Sequence, residues 1–358
     1  MDKLEFYGTE GKFKTLIASY LTGRYQKGTL NNNTNTNSSS KWETIKNGVP
    51  QGSILGPLFF LLCINDLPKI ITKNHSMVLF ADNTSLLLTG SNKLDFSINI
   101  NQSLRNIISW FNRSLLTLNL NKTHYVEFRT KNYYQVKTTV KYGHNDISNS
   151  TETKFLVLVI DDTLSWNQYI DQIATKLCSA CYALRNLKCI VPHSTLRTIC
   201  YAYIYFILSF SQIFWGRSSN ANKLFILHKK IVRIITNSGV KESFREAFKN
   251  MQIMILYSQY IFSLILFTVN NKHLFTPNNE IHKYKTRNNT NLYLPTVNIN
   301  RFYKRPYISG SKSFTHLPQH IKILANDMKS FKSSLKSFLQ HSFCSSEAYY
   351  EYNDDKDM

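Results

Sequence analysis

The sequence predicts an α+β chain, with short antiparallel strands and helices mixed over roughly the first 160 residues and helices alone thereafter. Three observations carry this. Two apolar runs, Met77–Phe80 and Ser85–Leu88, flank Ala81-Asp82-Asn83-Thr84, the pattern of a tight β-hairpin. Beyond residue 160, apolar side chains recur at helical spacing over long stretches. A hydrophobic share of 43% against 18% charged leaves ample material for a core and excludes a disordered, collagen-like or highly charged coiled-coil chain. At 358 residues there is room for two or three compact units. We divide the chain into 1–160, 161–270, 271–343 and an acidic tail, 344–358, expected to be disordered from Glu347 onward.

Taken in order, Gly11–Tyr25 reads as a short helix with Phe13, Leu16, Ile17 and Tyr20 at helical spacing. Asn31–Ser40 is a low-complexity Asn/Thr/Ser stretch, expected to be a flexible loop. Gly48-Val49-Pro50-Gln51-Gly52-Ser53 is a glycine-punctuated turn leading into an apolar helix from Pro57 to about Asn65. The hairpin follows, with Asp82 and Asn83 at its tip. A helix then shows Leu104, Ile107, Ile108, Phe111 and Leu115 on one face. Tyr125–Phe128 and Phe155–Ile160 read as strands. Trp166, Ile170, Ile173, Leu177, Cys181 and Leu184 form the stripe of a long helix. Leu224, Leu227, Ile231, Ile234 and Ile235 mark another, with Lys229, Lys230 and Arg233 off the apolar face. Met328, Phe331, Leu335 and Phe338 repeat the arrangement, with Lys329, Lys332 and Lys336 exposed.

Lys and Arg number 43 and Asp and Glu 22, a net charge of +21 with a pI near 9.6. That balance favours a polyanionic partner, either nucleic acid or an anionic membrane surface. Two uncharged runs, Ile199–Gly216 and Ile253–Val269, carry internal polar side chains, and tyrosines sit in the middle of the first. They read as buried helices, so no membrane partner is expected. Six cysteines in so long a chain are no disulfide framework. Cys178 and Cys181 form a lone C-x-x-C with no further ligand set for zinc. With no apolar run of signal-peptide length at the N-terminus, an intracellular protein of the nucleus or cytoplasm, not a secreted one, is expected.

The Pro-Gln-Gly turn and, about thirty positions later, Phe80-Ala81-Asp82-Asn83 are each weak signals alone. In order they are specific. Gly48-Val49-Pro50-Gln51-Gly52-Ser53-Ile54-Leu55-Gly56-Pro57-Leu58, Ile64-Asn65-Asp66-Leu67-Pro68 and Leu79-Phe80-Ala81-Asp82-Asn83-Thr84 resemble the reverse transcriptase of jockey-like non-LTR retrotransposons. Trp110-Phe111, Leu118-Asn119 and Lys122-Thr123 are similar to the next block of that family. Phe155-Leu156, Ile160-Asp161 and Leu164-Ser165-Trp166 are similar to the one after. Leu317-Pro318 and Ser330-Phe331-Lys332 resemble its C-terminal part. The resemblance implies a partial polymerase palm followed by a mainly helical thumb-like and C-terminal region.

It also implies RNA-templated DNA synthesis on an RNA and DNA template-primer. Nucleotidyl transfer uses two divalent metals about 3.5–4 Å apart, and Mg²⁺ takes hard oxygen ligands. By resemblance, Asp82 is the catalytic metal ligand for Mg²⁺ and Asn83 its degenerate neighbour. Lys122 lies near the leaving pyrophosphate, and Pro50, Gln51, Gly52 and Ser53 approach the nucleotide and template. Lys229, Lys230, Arg233, Lys329, Lys332 and Lys336 are candidates for the nucleic-acid backbone.

Several positions depart from the family. Asn83 replaces a second Asp, and the strand block bearing another catalytic Asp precedes the segment that Lys3–Gly8 resembles. Val157 stands where Gly is usual, and Phe314-Thr315 where Trp-Asn is usual. We therefore expect a truncated or decayed copy that is catalytically inactive. The alternative is a non-catalytic nucleic-acid-binding protein, and a membrane-associated protein is the third reading. The oligomeric state is not legible in the sequence.

Overall fold

The computed structural model describes residues 1–31, 37–46, 48–71, 75–90, 93–130, 139–143, 145–239, 241–281, 291–296, 300–342 and 346–352. The chain forms two compact units: Met1–Tyr125 with Tyr134–Ser150, and Val126–Tyr133 with Thr151–Met358.

The first unit opens with helices α1 (Asp2–Phe6) and α2 (Gly11–Leu21). A nested antiparallel ribbon follows: β1 (Tyr25–Gln26) pairs with β4 (Glu43–Thr44), and inside them β2 (Thr29–Asn31) pairs with β3 (Asn37–Ser39). The ribbon corrects the expectation of a flexible loop. Backbone pairing in the register Thr29↔Ser39 and Leu30↔Ser38 orders the arms of the Asn/Thr/Ser stretch although little there is buried; residues 32–36 lie outside the described residues. Helix α3 (Leu55–Ile64) leads through a 3₁₀ turn, Leu67–Ile70, into the hairpin of β5 (His75–Phe80) and β6 (Asn83–Leu88). Side chains alternate along β5, so His75, Met77 and Leu79 turn inward together with Thr84, Leu86 and Leu88 across the pair. Met77, Leu79 and Leu86 pack with Phe60 and Ile64 of α3 and with Ile107, Trp110 and Phe111 of α4 (Lys93–Arg113). Leu115, expected on the α4 face, is 86% exposed. The helix ends at Arg113 and Leu115 takes a left-handed conformation beyond it. The strand expected over Tyr125–Phe128 is only β7 (His124–Tyr125), which pairs in parallel with β10 (Ser148–Asn149), while β8 (Lys141–Tyr142) and β9 (Asn145–Asp146) form a short hairpin.

The second unit begins with β11 (Glu152–Phe155) and β12 (Leu158–Asp161), paired antiparallel. This corrects the single strand expected over Phe155–Ile160. The chain reverses at Leu156 and Val157, both with positive φ (46° and 79°), and nothing in a Leu-Val pair signals a turn. A glycine would suit position 157 better than valine, since β-branched residues are disfavoured at positive φ. Asp161 then organises the entry to α5 (Asn167–Leu187). Its carboxylate accepts from the backbone N–H groups of Thr163 (3.0 Å), Ser165 (2.8 Å) and Trp166 (2.7 Å) and from both hydroxyls, at 2.6 and 3.2 Å. Burial raises this carboxyl's pKa, but the five donors outweigh it and hold the group below the usual carboxylate range.

Most of the predicted α5 stripe is buried: Ile170, Ile173, Leu177, Cys181 and Leu184 line the first core, with Trp166 packed partly buried against it. Helix α6 (His193–Ile199) runs through a π-helical turn, Cys200–Tyr205, into α7 (Phe206–Ser209). Its buried positions, Leu196, Cys200, Ile204 and Leu208, recur every four residues. On a regular helix such a stripe drifts by about 40° per step; the wider π turn absorbs the drift and keeps all four inward. After a left-handed Ser211 comes α8 (Gln212–Trp215), then α9 (Ala221–Thr236), packed on α5, and α10 (Phe244–Met251). Helix α11 (Leu256–Asn270) carries the second core, against α14 (Pro306–Thr315), α15 (Gln319–Ile323) and α16 (Met328–Ser342); α12 (Asn278–Ile281) and α13 (Asn300–Tyr303) lie between α11 and α14 in the chain. No single helix among the described residues is long and apolar enough to cross a membrane. Only α10 and α11 together, bent by 51°, reach that length and apolarity. The described part of the acidic tail is also corrected: α17 (Ser346–Glu351) seats Tyr349, fully buried, with its hydroxyl donating to the Ser313 carbonyl at 2.7 Å, while residues 344–345 and 353–358 lie outside the described residues. Burial of an aromatic ring outweighs the local acidity there.

Two outcomes are expected. Val157→Gly relieves the backbone at the β11–β12 turn and stabilises the second unit by about 1–3 kcal/mol, read as a higher urea midpoint. His228 of α9 is fully buried, both ring nitrogens lack a partner, and burial pushes its pKa down to about 3. The unfolded imidazole takes its proton near 6.5, so the stability tied to the neutral ring is full above that pH and declines as pH falls toward 3. The slope is up to about 1.4 kcal/mol per pH unit. His228→Leu should flatten the difference in stability between pH 7 and pH 5; an unchanged slope would contradict the buried neutral ring.

Candidate active site at the hairpin tip and the glycine turn

The turn before α3 is a type II turn. The Ser53 N–H donates to the Pro50 carbonyl (3.2 Å), and Gly52, at the third position, has φ 83°. The Ser53 hydroxyl then accepts from the Gly56 N–H at 3.1 Å, capping the start of α3. Arg24 reaches in from the end of α2 and donates to the Gly48 carbonyl at 2.6 Å, fixing the turn to the first helices. Gln51 and Gly52 face solvent, while Pro50 and Ser53 are half-buried.

The far end of α3 is locked by charge. Lys3 of α1 makes an ion pair with Asp66 (2.8 Å), donates to the Cys63 carbonyl (2.6 Å) and lies 4.8 Å from the centre of the Trp110 ring. Burial raises the Asp66 pKa, but the hydrogen bond and charge of Lys3, with the Trp110 side chain, bring it net below the usual range. Asn65 donates to the Tyr7 hydroxyl at 3.0 Å. The Ile64–Pro68 motif therefore works as a clamp between α1, α3 and α4. The sequence marked its residues but gave no sign of this role, because Lys3 and Trp110 lie far from it in the chain.

The hairpin closes by a two-residue turn, Ala81-Asp82, with Ala81 left-handed at φ 50°. Asp82 stands at the tip, exposed, as the sequence predicts. Asn83 is instead the first residue of β6, paired with Phe80, and also exposed. Lys122 is exposed in a turn, its N–H donating to the Asn119 carbonyl at 3.1 Å. Helix α3 thus brings together the glycine turn, at its start, and the hairpin, against its second half. Among the described residues, no hydrogen bond or ion pair joins Gln51, Asp82, Asn83 and Lys122.

Protein magnesium sites draw on carboxylate oxygens, and a two-metal centre needs several. Asp82 supplies one carboxylate and Asn83 only a neutral carbonyl. No group of three His, Cys, Asp or Glu placed to hold a metal occurs among the described residues. The residues described do not fit a two-metal centre.

Of the basic positions, Lys230, Lys329, Lys332 and Lys336 are exposed. The other two are engaged within the fold. Lys229 lies 4.5 and 5.3 Å from the centres of the Phe225 and Phe244 rings, and Arg233 donates to the Glu242 carbonyl at 3.3 Å.

Residues 1–160 match the family model described as reverse transcriptase (RNA-dependent DNA polymerase). Relatives specify the type. The chain is 24% identical over 212 residues to a probable RNA-directed DNA polymerase from transposon BS of Drosophila melanogaster, covering 56% of this chain and 23% of the relative. It is 26% identical over 165 residues to the corresponding polymerase from transposon X-element of the same species, covering 45% and 17%. It is 23% identical over 145 residues to the retrovirus-related Pol polyprotein from type-1 retrotransposable element R1 of Nasonia vitripennis, covering 39% and 43%. Over these residues the chain is similar to reverse transcriptases, and the relatives named are polymerases of retrotransposable or transposon elements. It spans less than half the length of each of these relatives. No solved structure matches it.

A Cβ at Gly52 meets nothing within 4 Å, so replacing this glycine costs backbone conformation alone. Gly52→Ala should destabilise the first unit by about 1–2 kcal/mol, read by urea unfolding, while Gln51→Ala at the neighbouring exposed position should leave the midpoint within error.

Proposed function

We propose that the chain is a nucleic-acid-binding segment of a non-LTR reverse transcriptase, contacting RNA template and DNA primer, that does not polymerise on its own. The family's reaction is RNA-templated DNA synthesis with divalent metal, which we take to be Mg²⁺. The observation that carries the reading is the hairpin tip: one exposed carboxylate, Asp82, followed by the neutral Asn83. Asp82 is the remaining family metal ligand, and Pro50, Gln51, Gly52 and Ser53 are the turn facing nucleotide and template. Lys122 is the cation for the departing phosphates. Lys230, Lys329, Lys332 and Lys336 are the exposed candidates for the backbone of a bound strand, in keeping with the +21 charge.

The runner-up, a protein that only binds nucleic acid, shares every feature except descent of the hairpin from a catalytic one. It is favoured where Asp82 proves irrelevant to any metal-dependent behaviour.

Primer extension tests the reading. The purified chain with an RNA template, a DNA primer and Mg²⁺ or Mn²⁺ should give no product, and Asn83→Asp alone should not restore it. Loss of a single transition-state charge stabiliser costs about 10²–10³ in rate, and an incomplete ligand set costs more. Template-dependent incorporation by the unmodified chain, abolished in Asp82→Ala, would overturn the inactivity.

A further inference from the structure

The second unit holds two cavities joined through one residue. The larger, about 520 Å³, is lined by His193, Arg197 and Tyr201 of α6 and the π turn, among others. The smaller, about 360 Å³, lies between the α10–α11 link and α16 and includes Lys249, Gln252 and Lys336. Gln252 connects the two linings. It is held left-handed at φ 54°; Arg197 donates to its side-chain oxygen at 2.5 Å, and Tyr201 and Gln340 donate to its carbonyl at 2.5 and 2.6 Å.

Two properties of this surface point to one ligand chemistry. Neither lining contains a carboxylate, whereas each contributes cations: Arg197 on one side, Lys249 with Lys336 on the other. Hydroxyls share the linings, from Ser194 in the first cavity and Ser333 and Ser337 in the second, while the Thr198 hydroxyl donates to the Ser194 carbonyl. Cations interleaved with neutral donors, and without acids, match the acceptor-only oxygens of phosphodiesters. Moreover, the Lys249 and Lys336 ammonium groups have no hydrogen-bond or ion-pair partner among the described residues, so a ligand displaces nothing to reach them. The Gln252 linkage fixes the wall between the cavities in advance, which lowers the ordering cost of binding.

We infer that this groove, spanning α6, the end of α10 with its link to α11, and α16, binds the phosphodiester backbone of a nucleic-acid strand through Arg197, Lys249 and Lys336, an assignment that rests on the nucleic-acid reading above. These cations come from three segments of the chain, and only Lys336 was marked by the periodicity of its own helix.

The test is a set of fluorescence titrations of labelled single-stranded RNA and DNA 30-mers between 50 and 300 mM salt. They compare the full chain with Arg197→Ala/Lys249→Ala/Lys336→Ala and with a control of equal charge change, Lys154→Ala/Lys176→Ala/Arg185→Ala, drawn from exposed positions outside the groove. Each single-strand phosphate contact adds about 0.7 to the log–log salt slope. The groove variant should lose about 2 units of slope and at least tenfold in affinity at 50 mM, and the control less than half a unit. Lys249→Glu/Lys336→Glu, which alters only exposed partnerless side chains, should weaken binding in the same direction if loss of Arg197 disturbs folding. Equal losses in groove and control variants, or an unchanged slope with intact binding, would overturn the groove and leave the nucleic-acid reading standing. No binding by the full chain at 50 mM would overturn both.

Discussion

The carboxylate of Asp161 decides where the helical unit begins. Between β12 and α5 the chain must pass through left-handed conformations at Leu164 and Trp166, and the five donors gathered by one side chain hold it there. Once that entry is set, the apolar stripe of α5 points at α9, and the first core fills around the pair. Helix α11 then serves both cores, with Leu256 in the first and Ile261, Leu264 and Ile265 in the second. A charged group that is half-buried and fully engaged acts here as a joint. A neutral replacement keeps its shape but offers fewer acceptor sites to the same donors.

The first unit is built differently. Among its described residues, four helices and several two-stranded ribbons are held by small apolar clusters and one clamp, Lys3–Asp66–Trp110, in place of the large cores of the second unit. Helix α3 is apolar on all sides, yet Leu58 and Leu61 are about half exposed, and Ile54, just before it, almost wholly so. The outer hairpin face, with Val78, Phe80 and Leu87, is likewise exposed. A helix apolar all round is normally enclosed.

Periodicity made the long helices legible: Ile170, Ile173, Leu177, Cys181 and Leu184 of α5 are buried, Trp166 just before it is half-buried, and α9 and α16 turn the expected faces inward. The hairpin was legible because Asp-Asn between apolar runs is turn chemistry. What escaped had no local signal. Leu156-Val157 is a turn made of strand-forming residues, and its reversal is imposed by the pairing of Glu152–Phe155 with Leu158–Asp161. Tyr349 is buried by a helix more than thirty residues away, and the sequence around it reads as acidic and solvated. At the site, Asp82 stood where its motif put it, but the partners of Asp66 and the engagement of Lys229 and Arg233 depend on folding that no spacing encodes.

The π turn at Cys200–Tyr205 separates two kinds of sequence change. Leu196, Cys200, Ile204 and Leu208 share a face only because the winding between them is wider than that of a regular helix. Exchanging one apolar side chain for another of similar volume there costs little. Deleting a single residue there lets the segment rewind to the regular pitch with Leu208 eleven residues from Leu196, about 20° from its face, so the core contact is kept; inserting one adds a further step of about 100° that the π turn cannot also absorb. Along this stretch the chain has room to lose a residue but not to gain one, so its length is restrained in one direction only.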